Sequence, residues 1–318
     1  MVSLRSAVDR GQLLLVTALA LAVLLVTVAL LLNTAIFTEN VATRDTTADG
    51  HEAIELRGEL VAAIGDLIET ENYRRSGSTA TVETGVDTMG TEQTLVERER
   101  GRYGTVATLA RNDSATAGQL LRWNDTNRQF DVDGGNWTLV EDLDAARNVT
   151  LTVDPNSLVE TTASESADDT AFGVRFNRSG ETVTQYIYKQ SGSGDLAIAE
   201  SVDGSPPERQ CQIDLTDLNP EDRNTTVDLT GDRLSTEASA VDCFRGLWPA
   251  DDPDAIEFVN GNTAEGRFAA TVDETATPIV NDEVEKTSAV YSVTVDIAYT
   301  TAELDFETTV RVAPGEPR

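Results

Sequence analysis

The chain has 318 residues and a formal net charge of −31, with 55 Asp and Glu set against 24 Lys and Arg. That length holds one large domain or two small ones, and the charge repels nucleic-acid phosphates, so DNA and RNA are excluded as partners. A single histidine, His51, and two cysteines argue against a Ser-His-Asp triad, a His-based or Cys-rich zinc site and an iron–sulfur cluster; no cofactor, metal site or catalytic residue is expected.

Only Lys189 and Lys286 are lysines, so 24 − 2 = 22 basic residues are arginine. An acidic, Lys-poor, Thr-rich chain reads as adapted to high salt, where carboxylates hold water and cations and the salt screens their repulsion. Leu13 through Leu32 is apolar but for Thr17 and Thr27. Twenty helical residues at about 1.5 Å each span a hydrocarbon core of about 30 Å. Arg5 and Arg10 precede the segment, while Glu39, Asp45 and Asp49 follow it, which places residues 1–12 in the cytoplasm and the rest outside. The expected transmembrane helix covers 13–37, with membrane lipid as its partner through Leu13 to Leu32. The apolar run exceeds a signal peptide's and no A-x-A site follows it.

Asp9-Arg10-Gly11-Gln12 abuts the apolar run and resembles the processing site of archaeal type IV prepilins. In that family a peptidase cuts after a basic-Gly pair, so the resemblance implies cleavage between Gly11 and Gln12 and a helix able to leave the bilayer for a filament core. Val16 stands where many prepilins carry Glu. The stretch Leu32-Asn33-Thr34-Ala35-Ile36-Phe37-Thr38-Glu39-Asn40-Val41-Ala42-Thr43-Arg44, taken with Arg10-Gly11-Gln12, resembles an uncharacterised haloarchaeal envelope family. That resemblance implies a location, and pilin-like or envelope proteins as company, without a chemistry.

Beyond the membrane, Asp49-Gly50-His51-Glu52 suits a helix start. Ile54, Val61 and Ile68 recur at seven, with Leu60, Ile64 and Leu67 at three-and-four spacing, so an amphipathic helix is expected across 38–74. Gly58, Ala62 and Gly65 form a small-residue stripe on part of its surface. Residues 75–122 read as a linker with a possible helix: 75–93 is rich in Ser, Thr and Gly, and Glu97-Arg98-Glu99-Arg100 suits a solvated helix face.

From 123 to 318 the period becomes two. Phe130 to Asp133 and Trp137 to Val140 suggest a hairpin about Gly134-Gly135. Val149 to Val153, Phe172 to Phe176, Val183 to Tyr188, Val290 to Tyr299 and Leu304 to Val312 read as strands, the last two as a hairpin. The expected fold is therefore α+β: a membrane helix, an amphipathic helix, then a mainly antiparallel, sandwich-like ectodomain. Cys211 and Cys243, on the oxidising side of the membrane, are expected to pair. Six Asn-x-Ser/Thr sequons, at Asn112, Asn124, Asn136, Asn148, Asn177 and Asn224, are candidate glycosylation sites. Asp131-x-Asp133-Gly134 falls short of a calcium loop, since Gln129 and Val140 occupy positions that need carboxylates. The acidic runs at 251–254 and 214–222 read as solvated turns. The functional expectation is a non-catalytic, membrane-anchored surface protein, pilin-like or structural; the alternatives are a tethered binding or adhesion module and, more remotely, a carboxylate-based hydrolase.

Overall fold

A computed structural model describes residues 50–317, apart from 75–76, 101–105, 124, 126–127, 132–133, 168–169, 216–223 and 280–283. The leader, the apolar segment 13–37 and the start of the juxtamembrane helix lie outside the described residues. Among the described residues no helix is long and apolar enough to cross a membrane.

The first helix, α1, is described over residues 50–74. Ile64 and Ile68 are fully buried, and Leu60, Val61 and Leu67 pack beside them, the face that the three-and-four spacing predicts. Ile54 departs from that stripe at 64% exposed; at its level Ala53 takes the inward position, against Ala107 and Tyr299. The small-residue stripe divides as well. A Cβ on Gly58 would meet nothing within 4 Å, whereas Gly65 faces the Pro314 ring at 3.6 Å.

The second helix, α2 (Thr79–Arg100), replaces most of the linker expected across 75–93. Its residues are poor helix formers, and Thr84, Thr88 and Thr91 turn their hydroxyls back onto the carbonyls of Ala80, Thr84 and Asp87. Tertiary contact overrides that propensity. Val82 and Val86 are buried against the sheet, and Ser78 caps the start, its Oγ accepting from Thr81 N at 3.3 Å. Gly77 makes the turn between the helices at φ +61°, and a Cβ there would lie 1.9 Å from Ser288 O.

Strands β1 (Val106–Arg111) and β2 (Thr116–Trp123) run in succession along β16 (Glu285–Thr300), β1 against its C-terminal half and β2 against its N-terminal half. The opposite edge of that C-terminal half carries β17 (Asp305–Val312), the hairpin partner expected from the sequence. The two helices cover this end of the sheet: Leu109, Val293, Val295, Ile297 and Val312 complete the cluster around Ile64, Ile68, Val82 and Val86.

From β2 the sheet continues through β14 (Gly266–Asp273), β4 (Ala146–Val153), β10 (Thr225–Asp228), β11 (Arg233–Ser235) and β12 (Ala240–Asp242). Facing it is a second sheet ordered β15 (Thr277–Pro278), β3 (Trp137–Glu141), β13 (Ala255–Val259), β6 (Phe172–Arg178), β7 (Glu181–Gln190), β8 (Leu196–Val202) and β9 (Glu208–Ile213). Short β5 (Glu160–Thr161) pairs with β7 in parallel; the other ladders between described strands are antiparallel. The layers close over a core in which Trp123, Phe130, Trp137, Phe172, Phe258 and Phe268 stack or meet edge to face at 4.6–6.1 Å. Both indole N–H groups find carbonyls, Trp123 on Gly266 and Trp137 on Phe130, so this aromatic mass carries no unpaired donor.

Among the described residues no ladder joins the two arms of the hairpin expected about Gly134-Gly135. Asp131 Oδ1 accepts from the N–H of both Gly134 and Gly135, at 2.7 and 2.8 Å, a side-chain turn that holds the two glycines. β3 pairs instead with β13 and β15, strands that lie more than a hundred residues away. The hairpin of β6 and β7 stands as expected.

Candidate functional site

Among the described residues, two places that combine buried polar groups with a defined geometry stand out. The first is the joint where α1 meets the sandwich. Residue Arg147 of β4 has no exposed surface. The bulge at Asn148, whose φ is +50°, breaks the alternation of β4: Val149 faces the sandwich core, while the Arg147 guanidinium reaches Glu69 of α1. Its Nη1 also donates to Pro314 O at 2.7 Å and its Nη2 to Val290 O at 2.9 Å. Asn148 Nδ2 donates to the same Glu69 carboxylate at 2.9 Å, and Asn148 N donates to Gly315 O at 2.9 Å.

One turn further along α1, buried Asn72 brackets a strand residue. Val290 N donates to Asn72 Oδ1 at 2.8 Å and Asn72 Nδ2 donates to Val290 O at 3.0 Å. The ladder between β16 and β2 shifts register between Val290 and Ser292, so an amide side chain stands in where strand pairing is irregular. The ring of Tyr291 has the guanidinium carbons of Arg147 and Arg311 at 5.6 and 5.5 Å from its centroid, and its hydroxyl donates to Glu316 at 3.0 Å. Burial first, and then the Glu316 charge, push the Tyr291 phenol well above its ordinary value, so it stays protonated as a donor. Helix, long strand, β4 and C-terminal tail are thus tied by one hydrogen-bonded ionic cluster.

The second place is a cleft of about 260 Å³ at one end of the sandwich. Its walls are the ends of β6, β7 and β8 and the loop that carries Trp248. Trp248 meets Phe176 edge on, with ring centroids 5.0 Å apart. The loop is fixed by Asp232, whose Oδ1 accepts from Leu247 N and, at 3.4 Å, from Trp248 N, and by the disulfide immediately before it. At the rim Arg178 pairs with Asp251 and Arg245 with Glu208 at 3.2 Å. Glu200 lines the cleft, and Gln185, with no exposed surface, donates to it at 2.8 Å.

Cys211 of β9 and Cys243, just after β12, are joined as expected, with Cα atoms 4.9 Å apart. The bond links an outer strand of one sheet to an outer strand of the other and so closes one side of the sandwich. Of the six sequons, Asn112, Asn136 and Asn224 are exposed and Asn177 is half-buried in β6; Asn148 is committed to the joint, and Asn124 lies outside the described residues. Arg10, Gly11 and Gln12 also lie outside them. The acidic run at 251–254 is used locally: besides Asp251 on Arg178, Asp252 accepts from the Trp248 indole at 3.3 Å and Asp254 from Ser179 N at 2.8 Å.

The architecture is that of an antiparallel two-sheet sandwich with a helix-covered extension of one sheet. Residues 7–135 match a family of unknown function (DUF7261). The matched span takes in the apolar N-terminal segment, both helices, β1 and β2, and stops before β3, so most of the sandwich lies beyond it. No curated protein matches the chain.

Proposed function

We propose that this protein is a non-catalytic, membrane-anchored surface component, pilin-like in plan, whose apolar segment 13–37 holds an acidic β head outside the cell. The observation that carries this reading is the joint. Helix α1, which follows the apolar segment in sequence, is fixed to the long strand β16 and to the tail by the buried Arg147–Glu69 pair and the Asn72 bracket. A head fastened so firmly to one helix moves with it, as a subunit carried on an anchor or on a filament core must. The haloarchaeal setting rests on the acidic, arginine-biased composition, and the family match over 7–135 sits on the helical part that this role uses. N-terminal sequencing of protein from the native host tests the proposal. A mature chain beginning at Gln12 supports a filament-competent subunit; an intact start supports a lasting anchor; loss of everything through residue 37 overturns both.

A second reading, a tethered binding module, is favoured by the cleft beside Trp248, which pairs an aromatic wall with a carboxylate held from behind.

A further inference from the structure

We infer that the cleft beside Trp248 binds a neutral sugar ring. The inference deepens the binding-module reading and does not depend on whether the chain enters a filament. The strongest sign is a departure from the core pattern. On β7 the inward positions Val183 and Ile187 belong to the sandwich core, and on β8 Ile198 and Val202 do the same. Between each pair the apolar alternation is broken, by Gln185 on β7 and Glu200 on β8, which are directly paired across the ladder. Placing an amide and a carboxylate there costs stability unless they are held or used. The hold is visible: Gln185 Nε2 donates to Glu200 Oε2 at 2.8 Å, and Gln210 Nε2 lies 3.5 Å from Glu200 Oε1. A carboxylate oriented by a fully buried partner is a preorganised acceptor, and Glu200 still has lone pairs for a donor from the cleft.

Size and charge narrow the occupant. About 260 Å³ falls below the roughly 300 Å³ at which drug-sized pockets begin, so a single ring or a short chain fits. Two arginines and three carboxylates line the space. An anion meets Glu181, Glu200 and Asp251; a cation meets Arg178 and Arg245. Hydroxyl groups donate and accept alike and suit such a mixed wall, while the indole of Trp248 offers an apolar surface for the C–H face of a ring. The loop behind that indole is fixed by the disulfide and Asp232, so binding orders little that is not already ordered.

The test uses the full chain in phospholipid nanodiscs, which avoids glycoside detergents. Saturation-transfer NMR and tryptophan emission are read while glucose, galactose, mannose and N-acetylglucosamine are added singly to about 20 mM, a range that covers weak single-ring sites. At least one sugar should receive saturation and alter the emission. Glu200→Gln should weaken it roughly tenfold, the scale of one charge-assisted hydrogen bond, and Trp248→Phe should abolish the emission change while the protein unfolds at the wild-type temperature. Gln185→Leu, a positioning change, should weaken binding without lowering the unfolding temperature, which a merely structural role would lower. Absence of transfer to all four sugars overturns the inference. So does binding that is unchanged in both Glu200→Gln and Trp248→Phe, or a site that takes tetramethylammonium or inorganic phosphate in place of sugar.

Discussion

Replacing Arg147 with Met removes the centre of the joint while keeping most of the volume. Three partners then lose the guanidinium: the Glu69 carboxylate, Pro314 O and Val290 O, the last of which keeps Asn72 Nδ2 at 3.0 Å. Glu69 retains Asn148 Nδ2 at 2.9 Å and about a quarter of its side chain stays exposed, at 27%, so part of the lost pairing is returned by water. Removing one member of a buried ion pair costs about 3–5 kcal/mol, and the lower half of that range applies here. At about 2–4 °C per kcal/mol for a chain of this size, the unfolding midpoint should fall by roughly 10 °C. Glu69→Leu leaves a fully buried guanidinium without its counter-charge and should cost at least as much. The double variant decides the matter. If the two residues act as one unit, removing both should cost no more than the worse single change, a coupling of about 2 kcal/mol or more. Urea unfolding followed by far-UV circular dichroism supplies all four corners of the cycle. Additive losses, within about 0.5 kcal/mol, would show that the pair does not fasten α1 to the head.

Three further outcomes follow from single features. Cys211→Ser with Cys243→Ser opens a loop with a sequence separation of 32 residues and should lower stability by roughly 3–4 kcal/mol on the chain-entropy account; urea midpoints with and without reductant check it, and the double variant should be insensitive to reductant. Gly77→Ala adds strain at φ +61° and a clash with Ser288 O, for a loss of at least about 2 kcal/mol, read by thermal unfolding. The pull of burial on Asp273 is upward, but hydrogen bonds from Thr275 Oγ1 and from the N–H groups of Ala145, Asp144 and Thr275 outweigh it and hold the carboxyl below its usual range. A carboxyl depressed in the folded state contributes stability that is complete above the unfolded value of about 3.9 and is lost as pH falls through the lower folded value. Asp273→Asn should therefore lower stability at pH 7 and flatten the acid limb below about pH 4 in a pH series of urea midpoints.

The strands with clean alternation were legible because one face is buried and the other is not. β4, β17 and the C-terminal half of β16 announced themselves in this way, whereas β6 and β7, buried on both faces, were readable from their β-branched and aromatic residues about a turn. For β16 and β17 even the hairpin partner was readable, since only a short turn separates them. The pairing of β3 with β13 was not legible: its partner lies more than a hundred residues away, and Asp131 captures the two glycines that suggested a local turn. Helix α2 was hidden by its threonines, because what holds it is contact with the sheet and not propensity. Of the joint, the α1 stripe could be read, but Arg147 could not. A bulge at Asn148 turns it out of the strand's alternation, and nothing in the local pattern marks a bulge. Trp248 was missed for a related reason. Its value as a wall comes from Phe176 and Glu200 on other strands, whereas the sequence beside it offers only a run of acids. The one signal that could have been caught is the interruption of Val183-x-x-x-Ile187 by Gln185.

The two sites also bear on each other through one strand. β16 takes the helices on its C-terminal half, and β2 and then the sandwich on its N-terminal half, and Val290, at the change-over, is the residue that both Asn72 and Arg147 grip. A load arriving along α1 is therefore shared between the Glu52–Tyr299 hydrogen bond, the packing of Ile64 and Ile68 and the register shift. From there it crosses β2, β14 and β4, where the antiparallel ladders share it over many hydrogen bonds. The far side of the sandwich, beyond β12, is closed covalently to β9, next to the loop that carries Trp248. The cleft thus lies beside the disulfide-closed edge, with the β2, β14 and β4 ladders between it and the grip on Val290. Under the anchoring proposed above, tension on α1 would be met by the helix packing and the joint, which lie apart from the cleft.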